Sequence, residues 1–151
     1  MVNFQRKERY GWEDLLTIMH LLRAPGGCPW DREQTHQSIR RNFLEETYEA
    51  LDAIDRDDVP GMKEELGDVL LQVVFHAVME EEQGRFTPDD VVDGIAQKLV
   101  FRHAHVFGSA QASDSAQALE GWETQKKLEK GYTSPADAVE AVPYWFQLTN
   151  I

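Results

Sequence analysis

The spacing of the apolar residues restricts the possible folds of this chain more than any other feature does. These residues recur every three or four positions, and no stretch alternates with a period of two. An interval of three to four residues places apolar side chains on one face of an α-helix. Proline, glycine and acidic residues mark where helices begin and end. The predicted helices cover about 12–23, 33–56, 60–83, 88–102 and a last segment around 118–128. We therefore expect an all-α fold, an antiparallel bundle of about five helices.

The length of 151 residues suits one compact domain and is too short for two ordinary ones. Residues 1–131 are predicted to form that domain. Residues 132–151 contain two prolines and the aromatic cluster Tyr144-Trp145-Phe146, and we expect an extended tail that packs on the domain or on a partner subunit. The third predicted helix is apolar on nearly all sides, so a second copy of the chain is expected to complete the bundle, as a homodimer or tetramer.

Composition argues against two classes of partner. The formal net charge of −12 disfavours a nucleic-acid backbone, whose binding depends on clustered Lys and Arg. The longest apolar run, 69–79, is interrupted by Gln72 and His76 and is shorter than a membrane span. The single Cys28 cannot form an internal disulfide, and the N-terminal segment lacks the features of a signal peptide. We expect a cytoplasmic protein that binds neither nucleic acid nor membrane.

Two pairs of acidic residues lie on neighbouring predicted helices. Glu46 and Glu49 are three positions apart on the second helix, and Glu65 and Asp68 repeat that spacing on the third. Carboxylates near a packed region cost free energy unless they are paired, protonated or bound to a metal. Oxygen ligands from two antiparallel helices suit Mg²⁺ or Mn²⁺ and leave room for water and substrate phosphates. The alternative is that both pairs are solvated surface charge, which is common on Glu-rich helices.

The same acids match a known signature. Residues 45–49 read EETYE and residues 65–68 read ELGD, and these segments resemble the E-E-x-x-E and E-x-x-D motifs of the MazG nucleotide pyrophosphohydrolases. Further segments are similar to that family in order and spacing: 27–31, 34–35, 70–76, 98, 102–103, 105–107, 122–123 and 126. The resemblance covers roughly residues 12–130 and is closest to the first half of the longer, two-domain members.

This resemblance implies an all-α enzyme, assembled as a dimer or dimer of dimers, that uses Mg²⁺ to hydrolyse the bond between the α- and β-phosphates of (deoxy)nucleoside triphosphates. Water would attack the α-phosphate, and the products would be a nucleoside monophosphate and pyrophosphate. The four acids named above would be the metal ligands. Glu45 and Glu64 lie beside them in sequence, and either is a candidate for an outer ligand or for the base that takes a proton from water.

Five further residues are candidates for substrate binding within this resemblance. Lys98 and Arg102 share a helix face at positions i and i+4 and are expected to hold the triphosphate; the alternative is a solvated basic edge. Trp122 is a candidate to stack on the base or ribose, with Lys126 one turn later facing a phosphate, although an aromatic residue at this spacing also suits core packing. Trp30 is a second candidate for nucleotide contact, and its alternative role is to close the end of the bundle.

Three functions remain open at the level of sequence. The first is triphosphate hydrolysis that cleanses the nucleotide pool or lowers an alarm nucleotide. The second, also enzymatic, is hydrolysis of phosphoribosyl-ATP, which similar helical proteins perform. The third is a non-catalytic module that dimerises and binds a nucleotide or a protein partner through its acidic surface and aromatic tail.

Overall fold

The computed structural model describes residues 2–132, and these form α-helices without any β-strand. The helices are α1 (Trp12–Arg23), α2 (Pro29–Glu33), α3 (Arg40–Asp55), α4 (Val59–Glu82), α5 (Pro88–Arg102), α6 (Ala104–Phe107) and α7 (Ser115–Lys130). The all-α prediction is confirmed. The predicted tail, apart from Tyr132, lies outside the described residues.

Four of the five predicted helices agree with the structure to within a few residues, and the second does not. Its predicted start at Glu33 is wrong, because residues 34–39 separate α2 from α3. Ser38 Oγ accepts from the Thr35 backbone N–H at 2.8 Å, and Thr35 Oγ1 accepts from the Ser38 backbone N–H at 3.1 Å. These local bonds satisfy backbone donors outside a helix, so the chain turns here before α3 begins.

Two compact units make up the described chain, one up to Val92 and one from Asp93 onward. In the first unit, α3 and α4 form an antiparallel pair because only residues 56–58 connect them, and α1 packs on α4. The core consists of residues from α1, α4 and the segment before α3: Leu16, Met19, Ile39, Val74, Phe75, Val78 and Met79. In the second unit, α6 packs against α7.

The turn between α3 and α4 fixes how the two helices face each other. Asp57 adopts a positive φ of 53°, and the Asp58 side chain accepts a hydrogen bond from the Gly61 backbone N–H at 3.1 Å to cap α4. A Cβ at position 61 would lie 2.5 Å from Asp58 Oδ2, so a larger residue there would displace the capping carboxylate. Ala50 and Ala53 are the buried residues of α3, and their small side chains allow α4 to approach closely.

The third predicted helix, now α4, is expected to be buried on more than one face. Within the described residues, only its C-terminal half is buried. Val74, Phe75 and Val78 are buried, whereas Leu66 and Leu70 are 51% and 40% exposed. The expected second subunit would cover these exposed side chains, and this remains a prediction. None of the helices within residues 2–132 is long and apolar enough to cross a bilayer.

Candidate metal centre

Three of the four acids expected to bind metal come together in the first unit. Glu46 and Glu49 project from α3 and Glu65 from α4, and one carboxylate oxygen of each lies within 4.8 Å of the others. The i, i+3 spacing puts the two α3 glutamates on one side of the helix, and the short turn places Glu65 opposite them. We call these three residues the glutamate cluster.

The fourth acid, Asp68, lies outside this group of three but acts on it electrostatically. Burial raises the pKa of Glu46, and the negative charge of Asp68 is the next largest cause of the increase. Burial likewise raises the pKa of Glu65, followed by the charges of Glu49 and Asp68. Within residues 2–132, none of these four carboxylates forms an ion pair with Lys, Arg or His. The site therefore concentrates negative charge without a cation to balance it.

The chemistry of these donors fits a hard divalent cation. All of the candidate ligand atoms are carboxylate oxygens, which Mg²⁺ and Mn²⁺ prefer, and they come from two packed helices. Like charges held this close raise each other's pKa, and a bound cation removes that penalty. Glu46, Glu49 and Glu65 are therefore the residues best placed to hold the metal, with Asp68 beside them.

Glu45 and Glu64, the two candidates for the base or an outer ligand, have different surroundings. Glu45 is exposed and pairs with Arg41 at 2.7 Å on the outer side of α3. Glu64 is exposed on α4, and its charge contributes to the raised pKa of Glu65. Neither belongs to the glutamate cluster. The choice between them as the base stays a prediction.

A cavity of about 370 Å³ opens beside the glutamate cluster, between the end of α3 and the start of α4. Its wall includes two members of the cluster: it is lined by Glu49, Asp52, Ala53, Arg56, Asp58, Gly61 and Glu65. Arg56 is the one basic residue in this lining and forms an ion pair with Asp52 at 2.7 Å. Among residues 2–132, no aromatic side chain contributes to the wall.

Three of the residues expected to bind substrate meet in the second unit. The Arg102 guanidinium lies 5.1 Å from the centre of the Trp122 ring, and Lys126 Nζ lies at the same distance. Arg102 is only 8% exposed, and its Nε donates to Glu129 at 2.8 Å. Its guanidinium is thus already bound to a carboxylate. Lys98 is exposed on α5, and its positive charge helps to lower the pKa of Glu129.

Trp30, the remaining substrate candidate, lies on α2 in the first unit. Its side chain is more than half exposed, so within the described residues it does not close the end of the helical core. Its backbone carbonyl accepts a hydrogen bond from Gln34 Nε2 at 2.8 Å. A role in nucleotide contact stays a prediction.

Sequence reasoning missed a polar network in the first unit. His36 Nδ1 lies 2.7 Å from His76 Nδ1, and His36 Nε2 lies 2.5 Å from Glu80 Oε1. Arg85 also binds Glu80, and hydrogen bonds from Arg85 and His36 lower the pKa of Glu80 to about 2. His76 and Glu80 are four residues apart on α4, which places them on one face of the helix. That spacing is the only local signal for the network, because His36 is distant in sequence.

The segment that contains the glutamate cluster matches a known protein family. A family model described as the MazG nucleotide pyrophosphohydrolase domain matches residues 34–107, a segment that contains the whole glutamate cluster and Asp68. The match begins just before α3 and ends with α6.

Two curated relatives have about half of their residues identical to this chain over the aligned region. The nucleoside triphosphate pyrophosphohydrolase/pyrophosphatase MazG of Thermotoga maritima is 50% identical over 120 residues, which are 80% of this chain and 46% of that protein. The nucleoside triphosphate pyrophosphohydrolase of Escherichia coli is 48% identical over 130 residues, which are 85% of this chain and 49% of that protein. The chain thus spans about half the length of these two relatives.

A solved structure shows the same fold. The crystal structure of a mazG-related protein from Thermotoga maritima matches with a TM-score of 0.62 at 22% identity, and the alignment covers 76% of this chain and 98% of that one. The helical architecture, the paired acids on α3 and α4 and the family match agree with one another. The chain, through its segment 34–107, belongs to the MazG nucleotide pyrophosphohydrolase domain family.

Proposed function

We propose that this protein hydrolyses (deoxy)nucleoside triphosphates to nucleoside monophosphates and pyrophosphate, with Mg²⁺ as its metal and Mn²⁺ as a substitute. The observation that carries the proposal is the glutamate cluster, which gathers three carboxylates within 4.8 Å and has no ion pair within the described chain. Two relatives that share about half of the aligned residues are named nucleoside triphosphate pyrophosphohydrolases, which supports the same activity here.

The residues of α3 and α4 would perform the reaction by position and charge. Glu46, Glu49 and Glu65, with Asp68, would hold Mg²⁺, which when bound neutralises phosphate oxygens and makes a coordinated water more acidic. A water oxygen forms a bond to the α-phosphorus, and the bond from the α-phosphorus to the bridging oxygen breaks with its electron pair leaving on pyrophosphate. The proton of the water passes to a carboxylate base, for which Glu45 and Glu64 are the candidates.

The second unit contains the residues that we assign to nucleotide binding. Trp122 presents a ring with Lys126 and Arg102 beside it, and Lys98 adds a further positive charge nearby. We propose that Trp122 stacks on the base or ribose and that Lys98 and Lys126 face the phosphates. Arg102 is tied to Glu129 and would contact phosphate only after releasing it.

Exposed apolar side chains on α3 and α4 support assembly into a homodimer or a dimer of dimers. Tyr48 and Leu51 on α3, with Leu66 and Leu70 on α4, are all at least 40% exposed, and burying such side chains against a second copy is favourable. We expect sedimentation equilibrium at micromolar concentration to show a dimer or larger assembly. Location in the cytoplasm and a role in cleansing the nucleotide pool or lowering an alarm nucleotide complete the proposal.

Product analysis tests the activity directly. Purified protein with Mg²⁺ is given a panel of common and damaged nucleoside triphosphates together with phosphoribosyl-ATP, in water enriched in ¹⁸O. We expect pyrophosphate as a product, and ¹⁸O in the monophosphate because water attacks the α-phosphorus. Glu49→Gln is expected to abolish turnover, whereas Glu13→Gln, a matched change of an exposed glutamate on α1, is not.

Each alternative has its own outcome in this experiment. Turnover confined to phosphoribosyl-ATP would assign the second enzymatic function. Nucleotide binding without turnover, unchanged by Glu49→Gln, would indicate a non-catalytic module. Release of orthophosphate from any triphosphate would contradict cleavage at the α–β bond.

A further inference from the structure

The cavity beside the glutamate cluster suits one part of a nucleoside triphosphate better than the others. Within the described part of the chain, its wall contains four carboxylates and one guanidinium and no aromatic or extended apolar surface on which a base would stack. Two of the carboxylates, Glu49 and Glu65, belong to the glutamate cluster itself. A ligand in this cavity therefore borders the candidate metal, and a metal-bound phosphate group is the part of the substrate with matching charge.

Arg56 is the residue in this cavity that is able to change partners. Its ion pair with Asp52 is exposed, with 65% of the Arg56 side chain and 62% of the Asp52 side chain accessible to solvent. Exposed pairs of this kind are weak, so a stronger acceptor competes for the guanidinium. A phosphate group is such an acceptor because it binds arginine through two parallel hydrogen bonds. Arg102, in contrast, is buried and tied to Glu129.

We propose that Arg56 leaves Asp52 and binds the β,γ-diphosphate that departs as pyrophosphate when the α–β bond is hydrolysed. The inference rests on the proposed function, which supplies the reaction and assigns Lys98 and Lys126 to the phosphates but names no residue of the first unit for the leaving group. As the bond from the α-phosphorus to the bridging oxygen breaks, its electron pair stays on the pyrophosphate, and the guanidinium stabilises that charge. Asp52 holds Arg56 at the cavity in the absence of substrate and keeps it from the carboxylates of the cluster.

Product inhibition shows whether Arg56 binds the pyrophosphate part or the nucleoside monophosphate part of the substrate. Inhibition by pyrophosphate and by nucleoside monophosphate is measured at fixed Mg²⁺ for the wild type, Arg56→Gln and Arg56→Lys. We expect Arg56→Gln to weaken pyrophosphate inhibition about 10-fold or more, the size expected for loss of a charged hydrogen bond, and to leave monophosphate inhibition unchanged. Arg56→Lys keeps the charge but not the paired hydrogen bonds, so it should restore only part of the affinity. Arg40→Gln removes an exposed arginine from the opposite end of α3 and serves as the matched control.

Asp52→Asn is expected to change pyrophosphate inhibition in the direction opposite to Arg56→Gln. Removing the competing carboxylate should strengthen pyrophosphate inhibition in the wild-type background and have no effect when combined with Arg56→Gln. A gain that persists in the double variant would show that Asp52 acts through general charge repulsion, and it would overturn its role as the alternative partner of Arg56.

Calorimetry keeps the inference separate from the proposed activity. Binding of pyrophosphate with Mg²⁺ is measured on the full chain and does not require turnover. Equal pyrophosphate affinity in the wild type and Arg56→Gln, or a selective loss of monophosphate affinity, would overturn the inference even if the enzyme releases pyrophosphate. A wild type that binds pyrophosphate through Arg56 but cleaves no triphosphate would instead refute the proposed activity alone. Circular dichroism confirms that each variant is folded.

Discussion

The two halves of α4 differ in what surrounds them. In the C-terminal half, Val74, Phe75 and Val78 are at most 4% exposed and pack against α1 and the segment before α3. In the N-terminal half, Leu66 and Leu70 are exposed, and Glu65 points into the glutamate cluster. One half stabilises the fold, and the other holds carboxylates at a distance that their mutual repulsion opposes.

The charges of the two halves show the same difference. Glu80 is bound by Arg85 and His36, which lower its pKa to about 2, whereas burial and neighbouring acids raise the pKa of Glu65. Glu82 is held by both Nε and an Nη of Arg23, whose side chain is only 9% exposed. Within the described residues, glutamate is thus paired in one half of the helix, at Glu80 and Glu82, and forms no ion pair at Glu65 in the other half. Acids whose pKa values are raised by burial and by one another are candidates for a functional site.

The largest expected difference between the two halves of α4 is in the loss of stability when one side chain of each half is truncated. Phe75→Ala removes a ring from the core, and we expect the free energy of unfolding to fall by about 3–5 kcal/mol. Leu66→Ala removes a side chain that is half exposed within one subunit, and it should cost about 1 kcal/mol or less at protein concentrations low enough for the subunit to be monomeric. Both values are measured by urea denaturation followed by circular dichroism. An equal loss at the two positions in the monomer would contradict the difference between the halves. A larger loss for Leu66→Ala in the assembled protein is expected, because the proposed assembly buries this side chain.

Much of this architecture is predictable from sequence, because helix periodicity is a local property. The bounds of α1 follow directly from its apolar spacing, and the acid pairs on α3 and α4 follow from the i, i+3 rule. The start of α3 is not predictable in this way. The side-chain oxygens of Thr35 and Ser38 each accept a hydrogen bond from the backbone N–H of the other residue, and these bonds compete with helix formation. The spacing of apolar residues does not reveal such bonds.

Long-range partners are the other part that sequence does not provide. His36 and His76 are forty residues apart and meet only because α4 packs beside the segment that precedes α3. Arg102 illustrates the same problem at a predicted site. Its spacing from Lys98 suggests a phosphate ligand, but the structure pairs it with Glu129 on α7. Periodicity predicts which face a residue occupies and not which partner it finds there.

Removing one charge from the glutamate cluster is expected to change the stability of the metal-free protein and its stabilisation by metal in opposite directions. Glu65→Gln relieves repulsion, so we expect a higher melting temperature than wild type in the absence of divalent metal. Added Mn²⁺ should stabilise the wild type and stabilise the variant far less, because loss of a ligand lowers metal affinity by at least about 10-fold. Both effects are read from thermal unfolding with and without Mn²⁺. Glu13→Gln on α1 should show neither effect, and a lower melting temperature for metal-free Glu65→Gln would contradict the repulsion.

The smallest expected effect is a pH dependence that belongs to the C-terminal half of α4. The bond between His36 Nδ1 and His76 Nδ1 needs one proton shared between them, so protonating both rings breaks it. Burial and the neighbouring charge of His36 lower the pKa of His76, which means that the unfolded chain binds a proton more readily than the folded one. The stabilisation is therefore complete above the unfolded value of about 6.5 and is lost as pH falls through the lowered pKa of His76.

Glu80 is expected to cause a second loss of folding stability at lower pH. Its pKa of about 2 lies below the ordinary value of 4.5, so its contribution is complete above pH 4.5 and disappears as pH falls toward 2. The free energy of unfolding is measured by urea titration from pH 8 to pH 3 for the wild type, His76→Gln and His20→Gln. We expect His76→Gln to flatten the slope just below pH 6.5, which for one proton does not exceed about 1.4 kcal/mol per pH unit, and His20→Gln to retain it. A slope unchanged by His76→Gln would assign the pH dependence to other groups and would leave the network without a measurable role in stability.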